Sequence, residues 1–384
     1  MTGAEPSGDA AMAGGRKWSD WPPSENLTVG VEEEVMLVDE HDWTLAQRIE
    51  DVLARLPTEV GRFVGAETHQ AAIELASEPQ TTARTAIAQI AEIRRALAQR
   101  LSALGLRAAG AGTHPTALWT DTRVSPSGRY QLIDNTMRVL ARREPTFALH
   151  VHVGVDDPDA AIDLMNRMRA HLPLLLALSA NSPFWQGRDT GFASARTLVF
   201  QAFPRTGLPR RFASYDDWRR TVDLLMRAGA VPEPTFLWWD IRPQPRFGTI
   251  EVRVMDTQCT LERAASLVAL VQSLARLELK EGYASPVLIA ADEVLAENRF
   301  LASRDGALAR MIDPERAILR PVREQAAELL DAARPHAAAL GCTEELEGVR
   351  ALWESPSADL QRHRVACDGM AGMVATQAEE FVPA

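Results

Sequence analysis

Three separated segments of the chain alternate between aliphatic and ionisable residues, and that alternation decides what any sheet built from them must carry on each side. Successive side chains along a strand point to opposite faces. In VGVEEEVMLVD, residues 29–39, Val29, Val31, Val35 and Leu37 share one face, while Glu32 and Glu34 share the other with Gly30. ALHVHVGV, residues 148–155, sets Leu149, Val151, Val153 and Val155 against His150 and His152. GTIEVRVMD, residues 248–256, sets Ile250, Val252 and Val254 against Glu251 and Arg253. Such alternation favours an antiparallel sheet with one face under helices. The other face would then be lined by carboxylates, imidazoles and arginine. Glu33 breaks the pattern by falling on the apolar side, which predicts an arginine partner from a covering helix or a bulge that re-aims it.

Adjacent carboxylates repel, and burying them costs several kcal/mol each unless a cation or a proton neutralises them. For any one strand alone, a solvated face is the simpler reading. A solvated face, however, mixes Lys, Thr, Ser and Glu. Paired glutamates on one strand and paired histidines on another instead suit a hard divalent cation, because Mg²⁺ and Mn²⁺ prefer oxygen ligands. Residues 64–78, VGAETHQAAIELASE, add Glu67, His69 and Glu74. Glu67 and Glu74 fall on opposite faces of a continuous strand and converge only if a turn or bulge lies between them. Spacing alone makes them ordinary surface acids.

Composition removes several classes of function. The net charge of −11, from 41 basic and 52 acidic residues, argues against nucleic acid as a partner. Lys17 and Lys280 are the only lysines; there is no phosphate-binding G-x-x-x-x-G-K-[ST] loop, and a Schiff base would fall to Lys280 alone. Cys259, Cys342 and Cys367 are scattered and form no C-x-x-C pair, which points to a reducing compartment rather than a disulfide framework. The amino-terminal stretch has no apolar signal core, and LPLLLALSA at 172–180 is far shorter than the ~20 residues a membrane span needs. A cytoplasmic protein without a membrane partner is expected.

The 384 residues suffice for one large domain or two ordinary ones. Residues 1–25, rich in Gly, Ala, Ser, Pro and charge, read as a disordered tail. Helices are predicted over 81–105, from Asp157 and Pro158 to Pro173, which should kink or end the helix, near 214–229 and 260–282, and through much of 315–340. No strand pattern is evident beyond residue 260. Candidate site residues run from 32 to 253, so dividing the chain would split the site; the expectation is one domain over 26–384 with a helical part from about 260. The segment 181–212 is dense in Gly, Pro, aromatics and arginine, and so long an irregular stretch is usually functional. Arg196 and Arg205 are its candidate anion binders, and Trp238 and Trp239 are candidate pocket walls or core residues.

VGVEEE, AETHQAAIE, GTHP, HVHVGV, NSPFWQGRDTGFASAR and DIRPQPRFGTIEVRVMD occur in that order. Together they resemble the type 2 glutamate–cysteine ligase family of ATP-dependent carboxylate–amine ligases, over residues 27–280 and on into the helical end. The resemblance implies an α+β, glutamine-synthetase-like fold, in which a curved antiparallel sheet forms a funnel-shaped site covered on its outer face by helices. It implies ATP and Mg²⁺ as cofactors, with Mn²⁺ as a substitute. It further implies Glu32, Glu34, Glu67, Glu74, His152 and Glu251 as metal ligands, so that Glu67 and Glu74 belong to the site after all. Arg253 corresponds to an arginine that contacts phosphate, and Arg196 joins it as a candidate catalytic residue. His114 and His150 lie in family motifs without an assigned role.

The chemistry agrees with these residue types. Joining a carboxylate to an amine requires an electrophilic carboxylate, which ATP supplies as an acyl phosphate; metals and arginine stabilise the transferring phosphoryl group. The implied substrates are an amino acid carboxylate such as glutamate and an amine such as cysteine. A metal-dependent hydrolase of a phosphate ester or amide is the alternative enzyme, and a non-catalytic nucleotide or metal sensor the alternative outside enzymes. A homodimer is the base-rate expectation for assembly.

Overall fold

The computed structural model describes residues 17–143 and 145–382. Its centre is an open antiparallel sheet of seven strands: β1 (Val29–Asp39), β2 (Val64–Ala66), β3 (Ala72–Ala76), β4 (Leu106–Ala109), β5 (Ala148–Gly154), β6 (Ile241–Gln244) and β7 (Thr249–Asp256). They run in the order β6-β7-β5-β1-β3-β2, and β4 pairs with the end of β1 that β5 leaves free. The alternation read from the sequence holds in space. Val29, Val31, Val35, Leu37, Leu149, Val151, Val153, Ile250 and Val252 are all buried in one apolar cluster.

Helices cover that apolar face. The first long one, α1 (Ala83–Ser102), is capped by Thr82, whose side chain accepts from Thr85 N. Asp157 caps α2 (Pro158–Met168) by accepting from Ala160 N at 2.7 Å. Pro173 does not merely end that helix: a 3₁₀ turn intervenes, and Pro173 stands in the first turn of α3 (Leu172–Ser179), where its missing N–H costs nothing. Next come α4 (Ala195–Phe200) and α5 (Tyr215–Arg227), both with serine caps. The helix α6 (Leu261–Glu281) ends at Gly282, whose φ of +61° is a left-handed stop. It is buried along most of its length against the sheet and α1.

Two expectations change. Residues 310–321 form a hairpin, Arg310–Asp313 with Ile318–Pro321, where no strand was expected. Four-residue strands carrying Arg310, Asp313, Arg320 and Pro321 show too little aliphatic alternation to be read. The following helix, α7 (Val322–Leu340), starts after Pro321 and fills most of the 315–340 stretch expected to be helical. The expected tail over 1–25 also changes: residues 1–16 lie outside the described residues, but 17–25 pack on the domain, with Trp18 buried and Trp21 Nε1 donating to Val155 O at 2.8 Å. Alternating Trp, Ser and Pro in WSDWPPSEN give a strap without periodicity.

Glu33 finds the arginine its position demanded. Arg94 of α1 grips it with two hydrogen bonds, Nε to Oε2 at 2.9 Å and Nη2 to Oε1 at 2.8 Å, and both side chains are fully buried. Arg94 also donates to the carbonyls of Gln258, Cys259 and Phe381 and lies 4.1 Å from the Phe381 ring centroid. Phe381 closes the last long helix, α8 (Ser357–Phe381), so one side chain ties the first strand, a covering helix and the carboxy-terminal layer together. Arg94→Met leaves a buried carboxylate and three carbonyls without their donor. It is expected to cost about 3–5 kcal/mol of stability, read as a lower urea midpoint. A loss below about 1 kcal/mol, the scale of an exposed pair, would show the pair to be unimportant.

Candidate active site

The register of the sheet puts the ionisable side chains in rows. Glu34 on β1 stands opposite Glu74 on β3, and Glu32 stands opposite His150 on β5. Gly30, His152, Glu251 and Arg242 form a third row across β1, β5, β7 and β6. Glu67 arrives from the turn between β2 and β3. Ala66 pairs with Ile73 and Gly65 with Glu74, so the chain reverses between the two acids, as their convergence requires. One extra residue in β7 between Val252 and Met255 makes a bulge. Beyond it, Asp256 falls on the polar side.

Two groups result whose ligand atoms lie within 4.8 Å of one another: Glu32, His150 and Glu251, and Glu34, Glu67 and Glu74. His150 bridges them, with Nδ1 3.4 Å from Glu32 Oε2 and Nε2 3.8 Å from Glu34 Oε1. His152 flanks the first group, its Nε2 3.4 Å from Glu32 Oε1 and its Nδ1 3.0 Å from Thr249 Oγ1. The structure thus brings all six residues expected to ligate metal onto one face. It places His150 closer to the centre than His152, a distinction that shared strand parity cannot make.

Electrostatics show what the face lacks. Burial and then the Glu67 charge push the Glu34 carboxyl up to about 8. Burial and the three neighbouring glutamates raise Glu74 well above its usual value. Burial would also raise Glu251, but Arg242 and Arg253 hold it well below the carboxylate range. For Glu32, burial is overruled by His152 and by hydrogen bonds from both histidines, and its pKa is lowered. Burial, seconded by Arg253, drops His150 to about 4, which leaves a neutral imidazole whose Nε2 has no hydrogen-bond partner among the described residues. A neutral imidazole with a free nitrogen among under-neutralised carboxylates is a donor set that fits a hard divalent cation. Glu251 is the least available member, because Arg242 donates to both of its oxygens and Arg253 pairs with it.

The arginines divide. Arg253 contacts His150 at 3.5 Å and lines both lobes of the cavity above the acids, and its Nε has no hydrogen-bond partner among the described residues. Arg196, on α4, lines the smaller lobe, held by the carbonyls of Arg253 and Val254 at 3.2 Å and by Asp256 at 3.6 Å. Arg205 does not reach the acids: its Nε donates to Phe236 O, and its guanidinium lies 5.3 Å from the Trp238 ring, a cavity wall. The segment 181–212 is less irregular than expected, since it contains α4 and short strand pairs. Trp238 lines the cavity, whereas Trp239 packs in the core against Phe212. His114 is structural. Its Nδ1 accepts from Thr116 N and Ala117 N, so Nε2 donates to Trp43 O at 2.8 Å.

Sequence reasoning missed Arg242, Tyr130, Arg129 and Asp256. Arg242 follows a tryptophan pair, and only its row partner Glu251 marks it. Tyr130 and Arg129 sit in a separate helical segment, Gly128–Met137, with no strand alternation to flag them.

The sequence profile of glutamate–cysteine ligase family 2 matches residues 28–379. The chain belongs to that family. A Rubrobacter xylanophilus relative, provisionally named glutamate–cysteine ligase 2-1, is 39% identical over 338 residues, covering 88% of this chain and 90% of the relative. A Thermobifida fusca relative, with a similarly provisional name, is 39% identical over 341 residues, covering 86% and 84%. Among solved structures, the glutamate–cysteine ligase of Francisella tularensis, crystallised with AMP, superposes with a TM-score of 0.69 at 13% identity, covering 94% of this chain and 89% of that one. The bifunctional glutathione synthetase of Pasteurella multocida gives the same TM-score at 11% identity, over 92% of this chain and 52% of its own. These structures establish a glutamine-synthetase-like fold. The family match extends through the helical carboxy-terminal region, as the resemblance implied.

Metal-free protein of this family member is expected to lose stability with rising pH. The folded-state value of Glu34 lies above the usual 4.5, so its contribution is present at low pH and lost as the pH passes about 8. Glu74 acts in the same direction. Buried His150 has the opposite trend, but that is complete by about its ordinary 6.5. In EDTA, Tm should therefore fall as the pH is raised from 6.5 to beyond 8, and added Mg²⁺ should restore it. A flat profile indifferent to Mg²⁺ would contradict the burial of uncompensated acids.

Proposed function

We propose that residues 26–384 act as one cytoplasmic ATP-dependent carboxylate–amine ligase domain. Its substrates are an amino acid carboxylate such as glutamate and an amine such as cysteine. Its metal ligands are Glu32, Glu34, Glu67, Glu74, Glu251 and a histidine of the H-x-H strand. The observation that carries this reading is the meeting of five glutamates from four segments around His150, with Arg253 at their edge. The names of the relatives support the substrate pair.

When bound, Mg²⁺ or Mn²⁺ neutralises the glutamates and the triphosphate and polarises the transferring phosphoryl group. The chain's own residues do the rest. A carboxylate oxygen of the first substrate attacks the γ-phosphorus of ATP, ADP leaves, and the neutral amine nitrogen then attacks the acyl carbon, expelling phosphate, which takes up the proton that nitrogen loses. Arg253, part-buried and charged at this point, offsets the negative charge on the phosphoryl oxygens, and Arg196 assists from the smaller lobe. That lobe, about 80 Å³, has Ile133, Val199, Phe200, Phe203 and Trp238 in its walls. Its apolar walls exclude water that would otherwise hydrolyse the acyl phosphate.

The test is phosphate release from Mg²⁺-ATP across a panel of amino acids, with and without amine acceptors. Release that requires both partners is the expected result; turnover indifferent to ATP would indicate the hydrolase instead. Glu32→Gln should retain the far-ultraviolet circular dichroism of the parent, weaken Mn²⁺ binding and lower turnover about 100-fold or more. Near-normal turnover would remove Glu32 from the site.

A further inference from the structure

The family match begins at residue 28, yet the described chain from 17 to 27 packs along the ends of β5 and β7 and reaches a cavity beside the site. Ser24 Oγ lies 2.9 Å from both Val155 O and Gly248 O, and Leu27 N donates to Gly154 O at 2.8 Å. Two glycines make room for this strap. A Cβ at Gly154 would lie 2.4 Å from Glu25 O, and one at Gly248, where φ is +67°, would lie 2.8 Å from Pro22 O. Aromatic contacts fix its outer half. Trp21 meets Tyr215 edge-on at 5.5 Å, Tyr215 stacks on Trp218 at 5.3 Å, and Trp218 meets Trp18 edge-on at 5.8 Å. Tyr215 OH also donates to Ser19 O at 2.7 Å.

This train of rings delivers Trp18 to a cavity of about 460 Å³, whose other apolar walls are Met226, Pro232, Pro234 and Pro245. The cavity adjoins the 220 Å³ lobe above the acids, and the two share Arg129, Thr235 and Gln244. Arg129 pairs with Glu233 at this junction and donates to Thr235 Oγ1 at 2.9 Å. Of the two adjoining spaces, the inner is thus polar and metal-suited, and the outer has an aromatic and proline wall with Glu233 and Arg246 at its polar side.

We propose that the strap completes the nucleotide site, with Trp18 forming one wall of the compartment that takes the purine of ATP. The inference rests on the ligase reading and adds to it the place of the base. Only one of the proposed reactants has both ends that the space requires. ATP joins a planar, mostly apolar-faced ring to a polyanion, whereas glutamate and cysteine are small, and their polar groups gain nothing from a proline- and tryptophan-walled mouth. With the triphosphate over the acids, Arg129 lies along its path, and the smaller lobe beside Arg196 remains for the carboxylate substrate.

The experiment compares the full-length parent, Trp18→Ala and Trp18→Phe by calorimetric titration of ADP in Mg²⁺ and by steady-state KM values. Trp18→Ala should weaken ADP binding and raise the KM for ATP about tenfold, with the KM values of the amino acid and amine holding within about twofold. Trp18→Phe should recover most of the loss. Met226→Trp, which fills the mouth from the opposite wall and leaves the strap in place, should produce the same ATP-selective defect; it carries the test if Trp18→Ala fails to fold. Unchanged ADP binding in a folded Trp18→Ala or Met226→Trp protein that still ligates would overturn the inference alone. So would a rise confined to the KM of the amine. Absence of ADP binding by the parent would overturn the ligase reading, and this inference with it.

Discussion

The structure is organised around the cost of holding like charges together away from water. Glu34, Glu67 and Glu74 converge with few cationic side chains among them, and burial drives the pKa values of Glu34 and Glu74 upward. Such a cluster persists only because the backbone carrying it is anchored elsewhere. The anchor is the reverse face of the same strands, where Val, Ile and Leu side chains at alternate positions are fully buried under helices. Hydrophobic burial on one side of the sheet therefore fixes acids on the other in positions they would not choose.

The run Glu32-Glu33-Glu34 shows three solutions to one problem on consecutive residues. Glu32 is countered by imidazoles, with His152 the dominant charge. Glu33, turned into the core, is countered by a bidentate arginine. Glu34 is left to a proton, or to whatever cation replaces it. Glu32 and Glu34 both face the cavity, where an incoming cation can take over from the imidazoles or the proton. Glu33 alone of the three keeps a fixed partner in the core. Thus the strand separates a structural charge from functional ones by side-chain parity alone. Along the same face of β1, Met36 and Val38 follow Glu34, and there the carboxy-terminal helix closes the surface through Met373 and Val374. The site is confined to the half of the strand that this helix leaves uncovered.

Parity carried much of this into the sequence. The faces of β1, β5 and β7, the stray position of Glu33 and the need for a turn between Glu67 and Glu74 were all readable, because each is a consequence of period two. What parity could not reveal was the bulge after Val252, since an extra residue leaves no mark in composition and reverses the faces beyond it. Asp256 was missed for that reason. Arg205 has the charge and the loop setting of an anion binder, but a long arginine side chain has many rotamers open to it, and sequence cannot say that Phe236 O and the Trp238 ring claim it. The strap over 17–25 looked disordered because its order comes from partners far along the chain, at Val155, Tyr215 and Gly248.

The bulge links the two remaining arginines to the acids. By turning Asp256 to the polar side, it supplies an acceptor for Asn181 N at 2.9 Å, Ser182 Oγ at 2.7 Å and Ser194 Oγ at 3.0 Å. Ser194 in turn caps α4, the helix that carries Arg196. The same irregular stretch of β7 offers the carbonyls of Arg253 and Val254 to the Arg196 guanidinium. Two guanidinium groups are thereby held near one another, an arrangement as unfavourable in isolation as the clustered glutamates beside them. Each group of like charges makes the other tolerable, and neither is satisfied fully. A polyanion that brings its own divalent cations supplies what both lack: negative charge for Arg196 and Arg253, and positive charge for Glu34 and Glu74. Binding energy for such a ligand is stored in the free protein as incomplete neutralisation, and the apolar underside of the sheet is what keeps that energy from being released by collapse.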